Sequence, residues 1–82
     1  MVTAKVRIST MLKHDIRPVG ELKKIEGVKD AYLDYGIGEI LVEIQGEDRK
    51  TLDNILFLHI RKLKGIRSTS HLILNETHAN EI

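Results

Sequence analysis

The chain has 82 residues, 13 basic and 12 acidic side chains, one proline and no cysteine. That is enough for one domain, with a core burying roughly two-thirds of the surface its unfolded chain exposes. Disulfides and thiolate metal sites are excluded, the balanced charge disfavours an electrostatic nucleic-acid binder, and no run approaches the ~20 apolar residues of a membrane span. The N-terminus lacks the apolar stretch of a signal peptide, so a cytoplasmic protein is expected.

Ala4 to Met11 alternates small or apolar residues with polar ones, predicting a first strand with Val6 and Ile8 inward. Asp15 is a candidate N-cap, and Pro18 suits a first helical turn, where its missing N–H costs little. A helix is expected from Ile16 to Ile25, burying Ile16, Val19, Leu22 and Ile25 and stopped by Gly27.

Val28 to Gln45 carries the clearest pattern. Two alternating arms, Val28–Tyr35 and Glu39–Gln45, meet at Gly36-Ile37-Gly38, which predicts a β-hairpin. Ala31, Leu33 and Tyr35 share one face of the first arm; Ile40, Val42 and Ile44 share one face of the second. A loop of even length pairs Leu33 with Ile40, whereas a slip of one residue would set Leu33 against an acid.

Asp48 then caps a second helix reaching Leu63 or Lys64, with Leu52, Ile55, Leu56, His59, Ile60 and Leu63 on one face. On that apolar face His59 reads as a packed core histidine. Gly65 stops the helix, and Ile66 to Asn75 forms a fourth strand with Ile66, Leu72 and Leu74 inward. Residues 76–82 are a polar C-terminal tail, leaving 1–75 as a single domain.

The order β-α-β-β-α-β predicts an α+β, ferredoxin-like sandwich. Its antiparallel four-stranded sheet has order 4-1-3-2, with two helices on one face. The other face is left bare, displaying Lys5, Arg7 and Ser9, then Asp30, Tyr32 and Asp34, then Leu41 and Glu43, and lastly Thr69, His71 and Ile73. RNA-binding sheets of this shape stack bases on aromatics, and Arg7, Ser9, Leu41 and Glu43 occupy those places, so direct nucleic-acid binding is not expected. A two-fold contact between copies suits the mixture of charges better, with Arg7, Tyr32, Leu41, Glu43 and Ile73 as the dimer interface. A solvated sheet face is the alternative. Phe57 and Leu58 make the second helix apolar nearly all round and mark a second interface, against the alternative of a wide core stripe plus one exposed aromatic.

Catalytic chemistry finds no constellation. His14, His59, His71 and His78 are scattered, without metal-ligand spacing on one helix. Ser9, Ser68 and Ser70 have no nucleophile-elbow context, and Gly36-Ile37-Gly38 lacks the third glycine of a dinucleotide fingerprint. No enzyme, metal or cofactor is expected.

Particular residues resemble one family. L-K-K-I-E-G-V (Leu22–Val28), Y-G-I-G-E-I-L-V-E-I (Tyr35–Ile44), D-x-x-x-L (Asp48–Leu52) and I-R-K-L-K-G-I-R-S-T (Ile60–Thr69) together look like the effector-binding (RAM) domain of the Lrp/AsnC regulators. The likeness runs from Leu22 to Leu74, without the helix-turn-helix that precedes the domain in full-length members, which reads as a stand-alone form. The resemblance implies a homo-oligomer, a dimer joined through sheet faces and assembled into an octamer or decamer. It implies transcription regulation through an amino-acid effector, and a DNA-binding Lrp/AsnC relative as partner.

It also implies effector-binding residues Gly36, Ile37, Gly38 and Glu39, where the family reads G-D-x-D, and Thr69 and His71, where it reads T-x-T. Ile37 replaces the first acid and His71 the second threonine. Glu39 would take the ligand ammonium, and Gly36 and Gly38 would offer backbone N–H groups to its carboxylate. The competing readings are a small dimeric ferredoxin-like enzyme of the monooxygenase type and an ACT-type amino-acid module.

Overall fold

The computed structural model describes residues 1–76, with side chains through Ser70. Its elements are β1 (Val2–Thr10), α1 (Arg17–Lys23), β2 (Val28–Asp34), β3 (Glu39–Gly46), α2 (Arg49–Asn54) continued by a π-helical turn (Ile55–Ile60), and β4 (Ile66–Glu76). The strands form one antiparallel sheet in the order β2-β3-β1-β4, the expected order read from the other edge. The fold is the ferredoxin-like α+β sandwich.

Alternation sets the core. Val2, Ala4, Val6 and Ile8 of β1 are buried, as are Ala31 and Leu33 of β2 and Ile40, Val42 and Ile44 of β3. Leu22 of α1, Leu52 of α2 and Ile55, Leu56 and Ile60 of the π-turn cover them. Ile8, Leu22, Ile40, Ile44 and Ile60 are fully buried, so large side chains fill the space between helices and sheet. The hairpin pairs Leu33 with Ile40 and Asp34 with Glu39, as an even loop requires.

Several expectations are corrected. Tyr35 is not on the core face but 71% exposed, because β2 ends at Asp34 and Tyr35 opens the turn. Ile16 is exposed, since α1 begins one residue later, at Arg17; Val19 and Ile25 are partly buried beside Leu22.

His59 is exposed and not packed in the core. Arg61 N–H donates to the Leu56 carbonyl five residues back, at 3.0 Å. A π-turn holds more residues than an α-turn, so Ile60 swings inward behind Ile55 and Leu56 while His59 moves to the flank.

Thr69 pairs with Ile8 and is half-buried, whereas Ser68 and Ser70, paired with Ser9 and Arg7, are exposed. Thr69 therefore belongs to the helix-covered side, not the open face. The cause is a bulge at Ser9/Thr10, where Ser68 and Ile66 oppose consecutive β1 residues and Arg67 is left unpaired in the ladder. His71 and Ile73 have Val6 and Ala4 as register partners; their side chains, with those of Leu72 and Leu74, lie outside the described residues, as do residues 77–82 of the expected tail.

The cap of α2 is the expected one, at Asp48. Asp48 Oδ1 accepts from Thr51 Oγ1 at 2.7 Å and from Thr51 N–H at 2.8 Å, which holds the Asp48 carboxyl below its ordinary range. Asp15, the expected N-cap of α1, lies one residue outside that position: α1 starts at Arg17, Ile16 holds the N-cap with no side-chain bond, and Asp15 Oδ1 accepts from the Arg17 N–H at 3.0 Å.

Candidate functional site: the hairpin turn and the open sheet face

The turn between β2 and β3 consists of Tyr35, Gly36, Ile37 and Gly38. Asp34 organises it. Its carbonyl accepts from Gly38 N–H at 2.7 Å, and its Oδ1 accepts from Gly36 N–H at 2.9 Å and Ile37 N–H at 3.3 Å. The amides of Gly36 and Gly38, expected to be offered to a ligand, are thus bonded within the turn. Gly38 has φ +75°, which glycine alone adopts without strain.

Glu39 follows the turn and lies along the open face. Its Oε2 accepts from Ser9 Oγ at 2.5 Å, and its Oε1 stands 3.6 Å from Arg7 Nε. These β1 partners offset the like charge of Asp34, which is directly opposite across the hairpin. Thr69, on the other side of β1, is two strands from Glu39, about 10 Å by ordinary strand spacing, and on the opposite face. Within one chain, Gly36, Ile37, Gly38 and Glu39 come together and Thr69 does not join them; the His71 side chain is outside the described residues.

A residue that the sequence pattern does not single out holds this turn from behind. His14, in the loop between β1 and α1, donates its backbone N–H to the Gly38 carbonyl at 3.0 Å. Its ring Nε2 is 3.1 Å from the Tyr35 carbonyl, and the ring lies against the bare side of Gly38, where a Cβ would be 3.0 Å from Cε1. His14 itself has φ +60°. No local signal marks it, since a histidine in a polar loop reads like any other.

Register sets Tyr32, Leu41, Arg7 and Ser70 in one line across the open face, and Asp30, Glu43 and Lys5 in the next. Arg7, Tyr32, Leu41 and Glu43 therefore share a surface as expected. Its middle is apolar, its β1 strand basic and its β2 and β3 strands acidic. Phe57 and Leu58 are 48% and 52% exposed on the π-turn, with the Arg61 guanidinium 5.1 Å from the Phe57 ring centroid.

A shallow cleft of about 300 Å³ opens at the start of α1, bounded by Asp15, Arg17, Pro18, Leu63 and Gly65. Asp15 Oδ1 and Oδ2 accept from Arg17 Nε and Nη2 at 2.9 and 2.8 Å. That side-chain pairing, with the Arg17 N–H, pulls the Asp15 carboxyl from 3.8 to about 2, against the opposing effect of desolvation. The pair neutralises itself and is fixed as an ion pair, not poised as a base. Among the described residues no group of three His, Asp or Glu side chains is placed to hold a metal ion, and no helix is long and apolar enough to cross a membrane.

No protein-family model matches the sequence, and no curated protein matches it either. Solved structures do. A hypothetical protein from Pyrococcus horikoshii, PHS023, superposes with TM-score 0.85 at 29% identity over 100% of this chain and 99% of its own. E. coli AsnC superposes with TM-score 0.80 at 22% identity over 93% of this chain and 52% of its own, a likeness of fold. FFRP-DM1 superposes with TM-score 0.80 at 31% identity, covering 92% of this chain and 100% of that one. Identity of that degree over the whole of the second chain, on the same fold, places this protein in the feast/famine regulatory protein (FFRP), or Lrp/AsnC, family.

Proposed function

We propose that the chain is a non-enzymatic regulatory module of the stand-alone RAM type, acting through assembly with its own copies. In this reading the open sheet faces of two protomers stack about a two-fold axis. The line Tyr32–Leu41–Arg7 is the observation that carries it: an apolar centre flanked by basic β1 and acidic β2 and β3. A half-turn about an axis through that centre brings Arg7 and Lys5 of one copy over Glu43, Asp30 or Asp34 of the other. Phe57 and Leu58 then supply a contact for assembly into octamers or decamers.

The effector is a small amino acid received at Gly36–Glu39, with Thr69 and His71 contributed across a subunit boundary, since the turn and Thr69 stay apart within one chain. The regulated partner is a DNA-binding relative of the same family, and the compartment is the cytoplasm.

Sedimentation velocity at micromolar protein tests the assembly, with an octamer or decamer as the expected mass and a clean monomer as the contrary result. Thermal melting with each of the twenty amino acids at millimolar concentration tests the effector. At least one should raise Tm, because binding to the native state alone stabilises it. A flat panel removes the effector and leaves the assembly reading in place.

A further inference from the structure

We propose that His14 is the positioning residue of the hairpin turn, coupling it to the β1–α1 loop so that the two move as one body. The inference rests on the reading that the turn is where a ligand or neighbouring copy is received, and it says how that event reaches α1. Three contacts converge on one residue. The backbone N–H of His14 donates to the Gly38 carbonyl, its ring Nε2 meets the Tyr35 carbonyl, and its ring face closes on Gly38. A carbonyl only accepts, so Nε2 carries the proton.

Both partners adopt left-handed backbone for this contact, His14 at φ +60° and Gly38 at φ +75°. For a non-glycine residue that conformation is uncommon and is held by its surroundings. The loop is tied down at both ends, by Met11 N–H to the Gly65 carbonyl at 2.8 Å and by Asp15 on the Arg17 N–H at 3.0 Å. Displacement of Tyr35 or Gly38 therefore pulls on His14, one residue before Asp15, whose carboxylate holds the Arg17 N–H of α1.

Around this latch lie Met11, Leu12, Ile16, Tyr35 and Ile37, all exposed and all from the two segments His14 joins. A neighbour seated on that end of the sheet touches both segments at once, so their rigid union determines the shape presented.

Amide hydrogen exchange on the whole protein tests this without a ligand. His14→Gly keeps the positive φ and the N–H to Gly38 but removes the ring. It should speed exchange at Gly36, Ile37 and Gly38 and at residue 14 together, by about fivefold or more, the factor one ordinary hydrogen bond confers. Val6 and Val42 should change by less than about twofold. Gly38→Ala, which pushes a Cβ against the ring, should release the same two segments.

A perturbation in the turn, Ile37→Gly, should alter exchange at the residue-14 amide in the parent and lose that reach in His14→Gly. In the unaltered protein, imidazole nitrogen shifts should report a proton held at Nε2, as the contact with the Tyr35 carbonyl requires. A ring averaging between tautomers overturns the proposal, and so does release of only one segment or equal release of core amides. A flat amino-acid panel together with coupled exchange would leave the latch standing and remove only the effector.

Discussion

The terminal methyl of Ile55 occupies the space beside Gly27 that a side chain would need. Gly27 has φ +96°, and its carbonyl accepts from Gln45 N–H at 2.8 Å, so the α1–β2 junction is pressed against both β3 and the π-turn. Gly27→Ala should cost roughly 1–3 kcal/mol, from the strained φ and the displaced Ile55 together. Urea unfolding measures it; an unchanged midpoint would mean that the junction relaxes freely.

Ile60 and His59 should respond in opposite ways. Ile60→Ala empties a fully buried site and should cost about 2–5 kcal/mol. His59→Ala removes an exposed side chain and should stay within about 0.5 kcal/mol of the parent. Continuous α-helical periodicity would instead make both changes costly, so the pair of denaturation midpoints distinguishes the π-turn from a regular helix.

Asp15 makes stability depend on acid. Its carboxyl falls from 3.8 to about 2 on folding, so its contribution is fully present above pH 3.8 and is lost as pH drops toward 2. Asp15→Asn should be less stable than the parent at pH 7, and the gap should close between about pH 4 and pH 2. Urea midpoints of the two proteins across that range check it. A gap that stays constant with pH would assign the loss to packing and not to charge.

Gly20 lies on the exposed side of α1, and a methyl group added there would meet nothing within 4 Å. Gly20→Ala should therefore stabilise the protein by about 0.5–1 kcal/mol, through the entropy of the unfolded chain and helix propensity. In a domain of this size that is a rise in Tm of a few degrees, which a thermal melt followed by circular dichroism reads directly.

Leu41 lies at the centre of the open face between Arg7 and Tyr32. Leu41→Glu should lower the sedimenting mass below that of the full assembly while far-ultraviolet circular dichroism stays unchanged. Retention of the full assembly would exclude this face as the interface.

The element order, the buried faces of β1, β2 and β3, the Leu33–Ile40 register and the Asp48 cap were all legible in the sequence, because each depends on a short-range period or a local hydrogen bond. Legibility failed at element ends, where Tyr35 and Ile16 fell outside β2 and α1, and where one extra residue changed the phase. The bulge opposite Ser9/Thr10 moved Thr69 to the covered side, and the π-turn carried His59 out of the core. Local pattern cannot reveal an added residue, since what decides it is the fit of Ile55, Leu56 and Ile60 against a sheet far away in sequence.

The hairpin shows the same division. Sequence alone determined that Gly36-Ile37-Gly38 turns the chain and that Ala31, Leu33, Ile40, Val42 and Ile44 share a face, because side chains alternate with a period of two. Only the tertiary structure decided what the turn's groups touch: Asp34 takes its amides, Arg7 and Ser9 take Glu39, and His14 closes on Gly38. Those partners come from strands and loops brought together by packing, and their separation along the chain leaves no periodic trace.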